Sequence, residues 1–323
     1  MRRLCLRRES RKADVATLLI THASSYGHDA GPGHPERPER IRAIEDALAV
    51  PAFATLVREQ APRAALGDLA AVHPQRYLDA IAAAAPSQGL ARLDADTNMS
   101  PGTMDAALHA AGGARHAVDA VMAGRAANAF VATRPPGHHA EQATAMGFCL
   151  FNNAAVAARH AQSAHGARRV AIVDFDVHHG NGTQAIFWDD SSVFYASSHE
   201  MPLYPGTGAA SERGGHDQIV NAPLRAGDDG AAFRDAYGSA ILPRLAAFKP
   251  ELIVISAGFD AHCLDPLGNI NLVEDDFAWI TRRLMDVADK ACGGRVVSLL
   301  EGGYDLTGLS RSAAAHVRAL MQA

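Results

Sequence analysis

The chain alternates between short runs of Val, Ile, Leu and Ala and longer stretches whose apolar residues recur at helical spacing. The runs predict strands over 17–22, 128–133, 169–176, 193–197, 252–256 and 296–300. Several are almost continuously apolar, as suits strands covered on both faces. Helices are expected between them. One opens at Ser100-Pro101, a cap with proline in the first turn, and runs toward Ala123. Others run from Asn152-Asn153 to about His165, from Asp228-Asp229-Gly230 to just before Lys249-Pro250, onward from Glu274-Asp275-Asp276, and over 309–321. Regular alternation of strand and helix predicts the α/β class, with a mostly parallel central sheet flanked by helices on both faces. No repeat, low-complexity linker or internal boundary divides the chain, so a single domain is expected over residues 17–323. Before it, residues 1–16 carry Arg2, Arg3, Arg7, Arg8, Arg11 and Lys12 and read as a flexible basic tail.

In such a sheet, ligands bind at the carboxyl ends of the strands. The polar clusters fall there. Arg134-Pro135-Pro136-Gly137-His138-His139 follows strand 128–133, and Asp174 to Asn181 closes strand 169–176. Ala257-Gly258-Phe259-Asp260 follows strand 252–256, and Glu301-Gly302-Gly303-Tyr304 follows strand 296–300. Asp176 and His178, at i and i+2 on what reads as a strand end, would point to one side.

The bulk numbers narrow the class. Of 323 residues, 48% are hydrophobic and 20% charged, an ordinary globular composition. The formal net charge of -5 argues against general nucleic-acid binding. No apolar run is long enough to span a membrane, so no membrane partner is expected. The cysteines, Cys5, Cys149, Cys263 and Cys292, are scattered without a C-x-x-C spacing, which points to a reduced, cytoplasmic setting. A homo-oligomer is compatible with the sequence.

The chemistry follows from the residue types. Asp176, His178 and Asp260 offer a mixed oxygen and nitrogen ligand set with room for water and substrate. Zinc suits it best, and Fe(II) or Co(II) suits the same donors. His138 and His139, fixed by a Pro-Pro-Gly loop, can move protons beside such a metal. Asp174 and Asn181 flank the ligand segment and can hydrogen-bond the far ring nitrogens. An aspartate partner raises an imidazole's pKa, whereas asparagine adds no charge. His139, paired with Asn181, is therefore expected as general base and acid, with His138, paired with Asp174, as its electrostatic partner. Tyr304, in a Gly-Gly-Tyr turn, is placed to stabilise a developing oxyanion.

These motifs resemble those of the histone deacetylase family and its bacterial relatives, the acetylpolyamine amidohydrolases and acetoin-utilisation proteins. The likeness runs from His34-Pro35-Glu36-Arg37-Pro38 through Arg134 to Ala140, Gly147-Phe148-Cys149, Asp174 to Gly182, Tyr204-Pro205-Gly206-Thr207-Gly208 and Gly258 to Asp260, ending at Glu301 to Tyr304. Asn181, where class I members carry Asp, makes it class II-like. The resemblance implies the arginase–deacetylase fold and a zinc-dependent amidohydrolase acting on acylated amines, acetyl-lysine in proteins or peptides foremost. It implies zinc on Asp176, His178 and Asp260, and a structural potassium near Asp174, Ser197 and Ser198, with carbonyls of Asp176 and His178. Phe148 and Tyr204 match the walls of the family's acyl-lysine tunnel, Tyr204 standing where Phe is common. By the same match the Gly147 carbonyl accepts from the substrate amide. Leu267 lies where polyamine-preferring relatives carry an acid, and Asp96 falls at the rim.

The alternatives are an acetylpolyamine or other small acyl-amine deacetylase, a binuclear arginase-like ureohydrolase, and a non-catalytic acyl-lysine binding module. The binuclear site needs carboxylates where this chain has Gly180 and His262. A binding module would not need the complete catalytic set.

Overall fold

The computed structural model describes residues 16–322, so the basic tail read from the sequence lies outside the described residues apart from Ala16. Ten strands are formed among them: β1 (Leu18–Thr21), β2 (Val57–Gln60), β3 (Ala91–Arg92), β4 (Asn98–Met99), β5 (Asn128–Val131), β6 (Val170–Asp174), β7 (Val193–Glu200), β8 (Ile219–Leu224), β9 (Leu252–Ala257) and β10 (Val296–Leu300). Eight of them make one sheet in the order β2-β1-β5-β10-β9-β6-β7-β8, every pair parallel. β3 and β4 form a small antiparallel pair.

The sheet is covered on both faces because its strands alternate two apolar sets. Leu18, Ile20, Val170, Ile172, Val297 and Leu299 join one core, and Leu19, Ala171, Val173, Ile253, Ile255 and Leu300 join the other. Helix α1 (Glu39–Leu48) packs on the second face, whereas α2 (Gln75–Ala84), α3 (Thr103–Met122), α4 (Asn153–His165) and the short α5 (Asn181–Ile186) pack on the first. The second face is completed by α6 (Gly230–Ala236), α7 (Leu242–Phe248), α8 (Glu274–Cys292) and α9 (Leu306–Met321). A wider turn over Tyr237–Ile241 joins α6 to α7, so the helix expected before Lys249 runs on through it. Caps set the starts: Asn152 accepts from Ala155 N–H, Asp229 from Ala231 and Ala232, and Asp305 from Gly308.

The sequence reading does not include β2, β8, α1 or α2, although Ile41, Ile44 and Leu48 of α1 and Tyr77, Leu78 and Ile81 of α2 recur at helical spacing. β2 is Val-Arg-Glu-Gln, mostly exposed at the sheet edge. β8 holds Asn221 and Pro223, and a proline is tolerated because this is the other edge. The strand read as 169–176 stops at Asp174. Asp176 and His178 thus stand in the loop beyond it, and strand alternation does not orient them.

Two buried histidines away from the strand ends are each expected to oppose folding in acid. Burial pushes His73 down to about 4 and His316 down to about 3. Each ring is fully used: His73 lies 3.0 Å from the Gln142 carbonyl and 3.0 Å from Asn152 N–H, and His316 bridges Thr281 and Ser298. In the unfolded chain both would titrate near the ordinary value of 6.5. Between those limits the unfolded chain binds more protons, so stability is lost as pH falls. The expected slope is up to about 1.4 kcal/mol per pH unit per histidine. Urea unfolding at pH 7.5, 6.0 and 5.0 measures it, and His316→Gln should flatten the slope. An unchanged slope in that variant would remove His316 from the account.

Candidate active site

Four neighbouring central strands, β5, β10, β9 and β6, end on one rim. The loop after β6 carries Asp176 and His178, and the loop after β9 carries Asp260. His178 Nδ1 lies 3.2 Å from Asp176 Oδ1 and 3.1 Å from Asp260 Oδ2, and all three residues are buried. The outer oxygens are also engaged. Asp176 Oδ2 accepts from Gly302 N–H at 2.8 Å, and Asp260 Oδ1 accepts from Val177 N–H at 2.9 Å. Burial, then the adjacent Asp176 charge, pushes Asp260 up to about 7. Burial works the same way on Asp176, but the charges of His138 and His178 outweigh it and hold that carboxyl well below its usual range. Two buried carboxylates and an imidazole converging at hydrogen-bond distance fit a divalent cation, which would neutralise what burial otherwise penalises. The backbone at Gly302 must come close for this: a Cβ there would lie 2.1 Å from Asp260 Oδ2.

The loop after β5 brings in both histidines. His138 Nδ1 donates to Asp174 Oδ2 at 3.0 Å, and His139 Nδ1 lies 2.8 Å from Asn181 Oδ1. The Asn181 amide nitrogen donates to Glu141 and to Met146 Sδ, so its oxygen is the atom that faces His139. His139 therefore carries its proton on Nδ1 and presents a bare Nε2. The charges diverge as well. Burial alone would lower both rings. For His138 the carboxylates of Asp176 and Asp174 prevail and hold it well above 6.5. For His139 burial is reinforced by His138 and His178, and it falls well below.

Glu301 enters the sequence reading only as the first residue of the Gly-Gly-Tyr segment, with no role of its own. It is fully buried directly after β10. Its Oε2 accepts from Gly137 N–H at 2.6 Å and His138 N–H at 3.1 Å, and its Oε1 accepts from Ser256 Oγ. One carboxylate thus pins the histidine loop to β9 and β10. A glutamate directly after the apolar run of β10 was the available signal, since a buried acid demands partners. Glu301→Ala is expected to lower kcat about 100-fold with KM within about threefold, because a small misplacement of a proton-transfer group is costly. Glu301→Gln, which keeps an oxygen for both N–H groups, should retain most of the activity. Steady-state kinetics on variants with wild-type metal content decide it, and equal losses in the two variants would refute the positioning role.

A cavity of about 250 Å³ leads from the surface down to these groups. Asp96, Gly147, Phe148, Tyr204, Leu267 and Tyr304 line it, with His139 and His178. Leu203, absent from the sequence reading, lines it too. Phe148 is held at a φ of 68°, a costly conformation for a bulky residue that turns up at functional sites. Its ring meets Tyr304 edge-on at 5.8 Å, and Tyr204 meets His139 edge-on at 5.1 Å. Tyr204, 37% exposed, stands at the mouth. Burial and then its neighbour Asp94 raise the Asp96 carboxyl. The Gly147 carbonyl accepts from the Cys149 thiol at 3.3 Å.

Tyr304 is fixed from two sides. Its N–H donates to Asp265 Oδ2 at 2.6 Å. The Arg40 guanidinium sits 4.9 Å from its ring centroid and donates to the carbonyls of Gly303 and Glu301. Arg40 is itself held by Glu36, which also pairs with buried Arg134. Burial outweighs Arg40 and keeps the phenol well above its usual pKa, so it remains a proton donor.

Comparison with known proteins gives the family. Residues 34–320 match the histone deacetylase domain. The chain belongs to the histone deacetylase family. Among its relatives, the histone deacetylase-like amidohydrolase of Pseudomonas aeruginosa is 41% identical over 280 residues, covering 85% of this chain and 73% of that protein. A probable deacetylase of Archaeoglobus fulgidus is 39% identical over 300 residues, 91% of this chain and 83% of the other. Among solved structures, the crystal structure of the HDA15 HD domain superposes with a TM-score of 0.90 at 38% identity, covering 96% of this chain and 89% of that one. The arginase–deacetylase fold is thereby shown, and the chain is a deacetylase-family hydrolase.

Within this deacetylase-family fold, the two positions weighed for a second metal, Gly180 and His262, offer no carboxylate. A Cβ at Gly180 would lie 2.3 Å from Asp174 Oδ2, 2.6 Å from the Tyr195 hydroxyl and 3.1 Å from His138 Nδ1, so the hydrogen-bonded Asp174 and its partners occupy the space a carboxylate would need. His262 packs against Gly308, with Nε2 3.9 Å from Glu274. Ser197 stands beside Asp174 in register across β6 and β7. Its hydroxyl lies 2.9 Å from His199 Nδ1, and Ser198 Oγ bonds Tyr237.

Proposed function

We propose that this chain is a zinc-dependent deacetylase that hydrolyses the amide of an acylated amine, with acetyl-lysine in proteins or peptides as the preferred class. The observation that carries this is the cavity walled by Phe148 and Tyr204, which suits a linear chain and is lined further in by His139, Tyr304 and His178, the last of these in contact with Asp176 and Asp260. Asp176, His178 and Asp260 would hold the zinc, which supplies Lewis-acid polarisation of the acyl oxygen and lowers the pKa of a water. The chain's own residues do the rest. The Gly147 carbonyl accepts the substrate amide N–H and orients it. His139 Nε2 takes the proton of the attacking water as the new carbon–oxygen bond forms, and returns it to the amine nitrogen as the carbon–nitrogen bond breaks. His138 keeps its proton throughout, paired to Asp174. Tyr304 donates its phenolic hydrogen bond to the acyl oxygen as that oxygen gains charge. A potassium ion near Asp174, Ser197 and Ser198 would brace the loop behind the zinc ligands.

The test is turnover of a fluorogenic acetyl-lysine peptide by zinc-loaded protein, with and without a chelator. Activity should vanish on chelation and return on adding zinc back. Absence of turnover by zinc-loaded protein on acetyl-lysine peptides, acetylated polyamines and longer acyl-amines alike would refute the reading. Relative kcat/KM across the same panel ranks the substrates. Leu267 gives no charge for a second ammonium group, so peptides should exceed polyamines.

A further inference from the structure

Among the described residues, a second group with metal-ligating geometry lies away from the cavity: Asp119, His160 and His165. Asp119 is in the last turn of α3, and His160 and His165 are in the last two turns of α4, packed alongside. Each of these helices leads into a strand, α3 into β5 and α4 into β6. Their carboxyl ends therefore sit where the strands begin, at the opposite end of the sheet from the catalytic rim. Asp119 Oδ1 lies 2.7 Å from both His160 Nε2 and His165 Nε2. The side chains are 43%, 12% and 23% exposed in that order, so the cluster is walled on one side and open to solution on the other.

We propose that these residues form a second, catalytically silent site for a divalent transition metal, with zinc as the reference ion. Two imidazoles and one carboxylate are the donors such ions take, with water completing the shell. Ligands at about 2.0–2.1 Å in a tetrahedron stand about 3.3 Å apart. The three donors must therefore spread by about half an ångström, which partly exposed side chains at two helix ends allow. Bound there, the ion ties α3 to α4 and stabilises the folded state by mass action.

Arg115 opposes the ion and makes the proposal specific. Its Nε donates to His160 Nδ1 at 3.3 Å, which fixes the His160 proton on Nε2, facing Asp119. Metal binding needs the Nε2 lone pair. The proton must then move to Nδ1, which no longer accepts from Arg115. That guanidinium has somewhere to go, because its Nη1 already pairs with Asp68.

Calorimetric titration of the full-length protein with zinc chloride tests this. Wild type should take up one equivalent more than His165→Ala, with a Kd of about 10 µM or tighter. His165→Ala should weaken that equivalent at least about tenfold, and Arg115→Ala should tighten it. Turnover should be unchanged in both variants. Asp176→Ala should retain the equivalent, which separates it from the catalytic metal and from any failure of the proposed function. Lack of the extra equivalent at about 100 µM free zinc, or an identical Kd in wild type and His165→Ala, would overturn the proposal.

Discussion

Replacing His139 with alanine should lower kcat on an acetyl-lysine peptide by about 10²–10⁴-fold, the range associated with losing a general acid–base group. Bound zinc should stay at the wild-type level, because His139 is not among the three converging donors. The reason for singling out His139 is the asymmetry of the pair. Both rings are buried and their centroids are 4.0 Å apart. Two imidazolium ions cannot coexist there cheaply, and the partners decide which ring is charged. Asp174 and Asp176 hold the proton on His138, and that charge helps to keep His139 neutral with Nε2 bare. His138→Ala should therefore cost less, since it removes a charge near the transition state and leaves the proton-transfer atom in place. The measurement is kcat for both variants at matched metal content. If His139→Ala kept most of the activity, or His138→Ala were the more damaging, the assignment of base would be wrong.

Tyr304→Phe should reduce kcat by about 10²–10³-fold with a much smaller effect on KM, as expected when one donor to a developing oxyanion is removed. Phenylalanine keeps the ring contact with Phe148, the position over Arg40 and the backbone bond to Asp265. Only the hydroxyl is lost, so a large fall in kcat reports on hydrogen bonding to the reacting oxygen. A loss smaller than about fivefold would mean that the phenol does not carry this charge.

Much of the site was legible because it lies in short segments directly after apolar runs. Asp176 and His178 share one loop, His138 and His139 another, and each loop follows a strand whose apolar character is plain. Residue type marked Asp174 and Asn181 as the partners for the two histidines, and the fold decides that His138 takes Asp174 and His139 takes Asn181. What escaped was anything whose role depends on a neighbour far along the chain. Glu301 looks like one more residue of a Gly-Gly-Tyr turn until β10 is seen beside β5, 163 residues away from its partner His138. Arg40 reaches carbonyls 261 and 263 residues distant, and nothing local marks it. The two edge strands were missed for a different reason: an edge needs neither continuous apolarity nor every backbone N–H, so β2 and β8 lack the pattern that identifies buried strands.

The sequence by itself determined the α/β class, the strand ends that carry chemistry, and the donor types at each. These are local properties, set by periodicity, turn residues and the cost of burying a charge. Only the tertiary structure decided the order β5-β10-β9-β6, which reverses part of the chain order and sets four loops side by side. That order depends on crossover connections and on which apolar faces pack, terms summed over the whole domain that no short window encodes. It is this order that turns scattered carboxylates and imidazoles into one pocket, and that leaves at Gly180 no room for a ligand to a second metal.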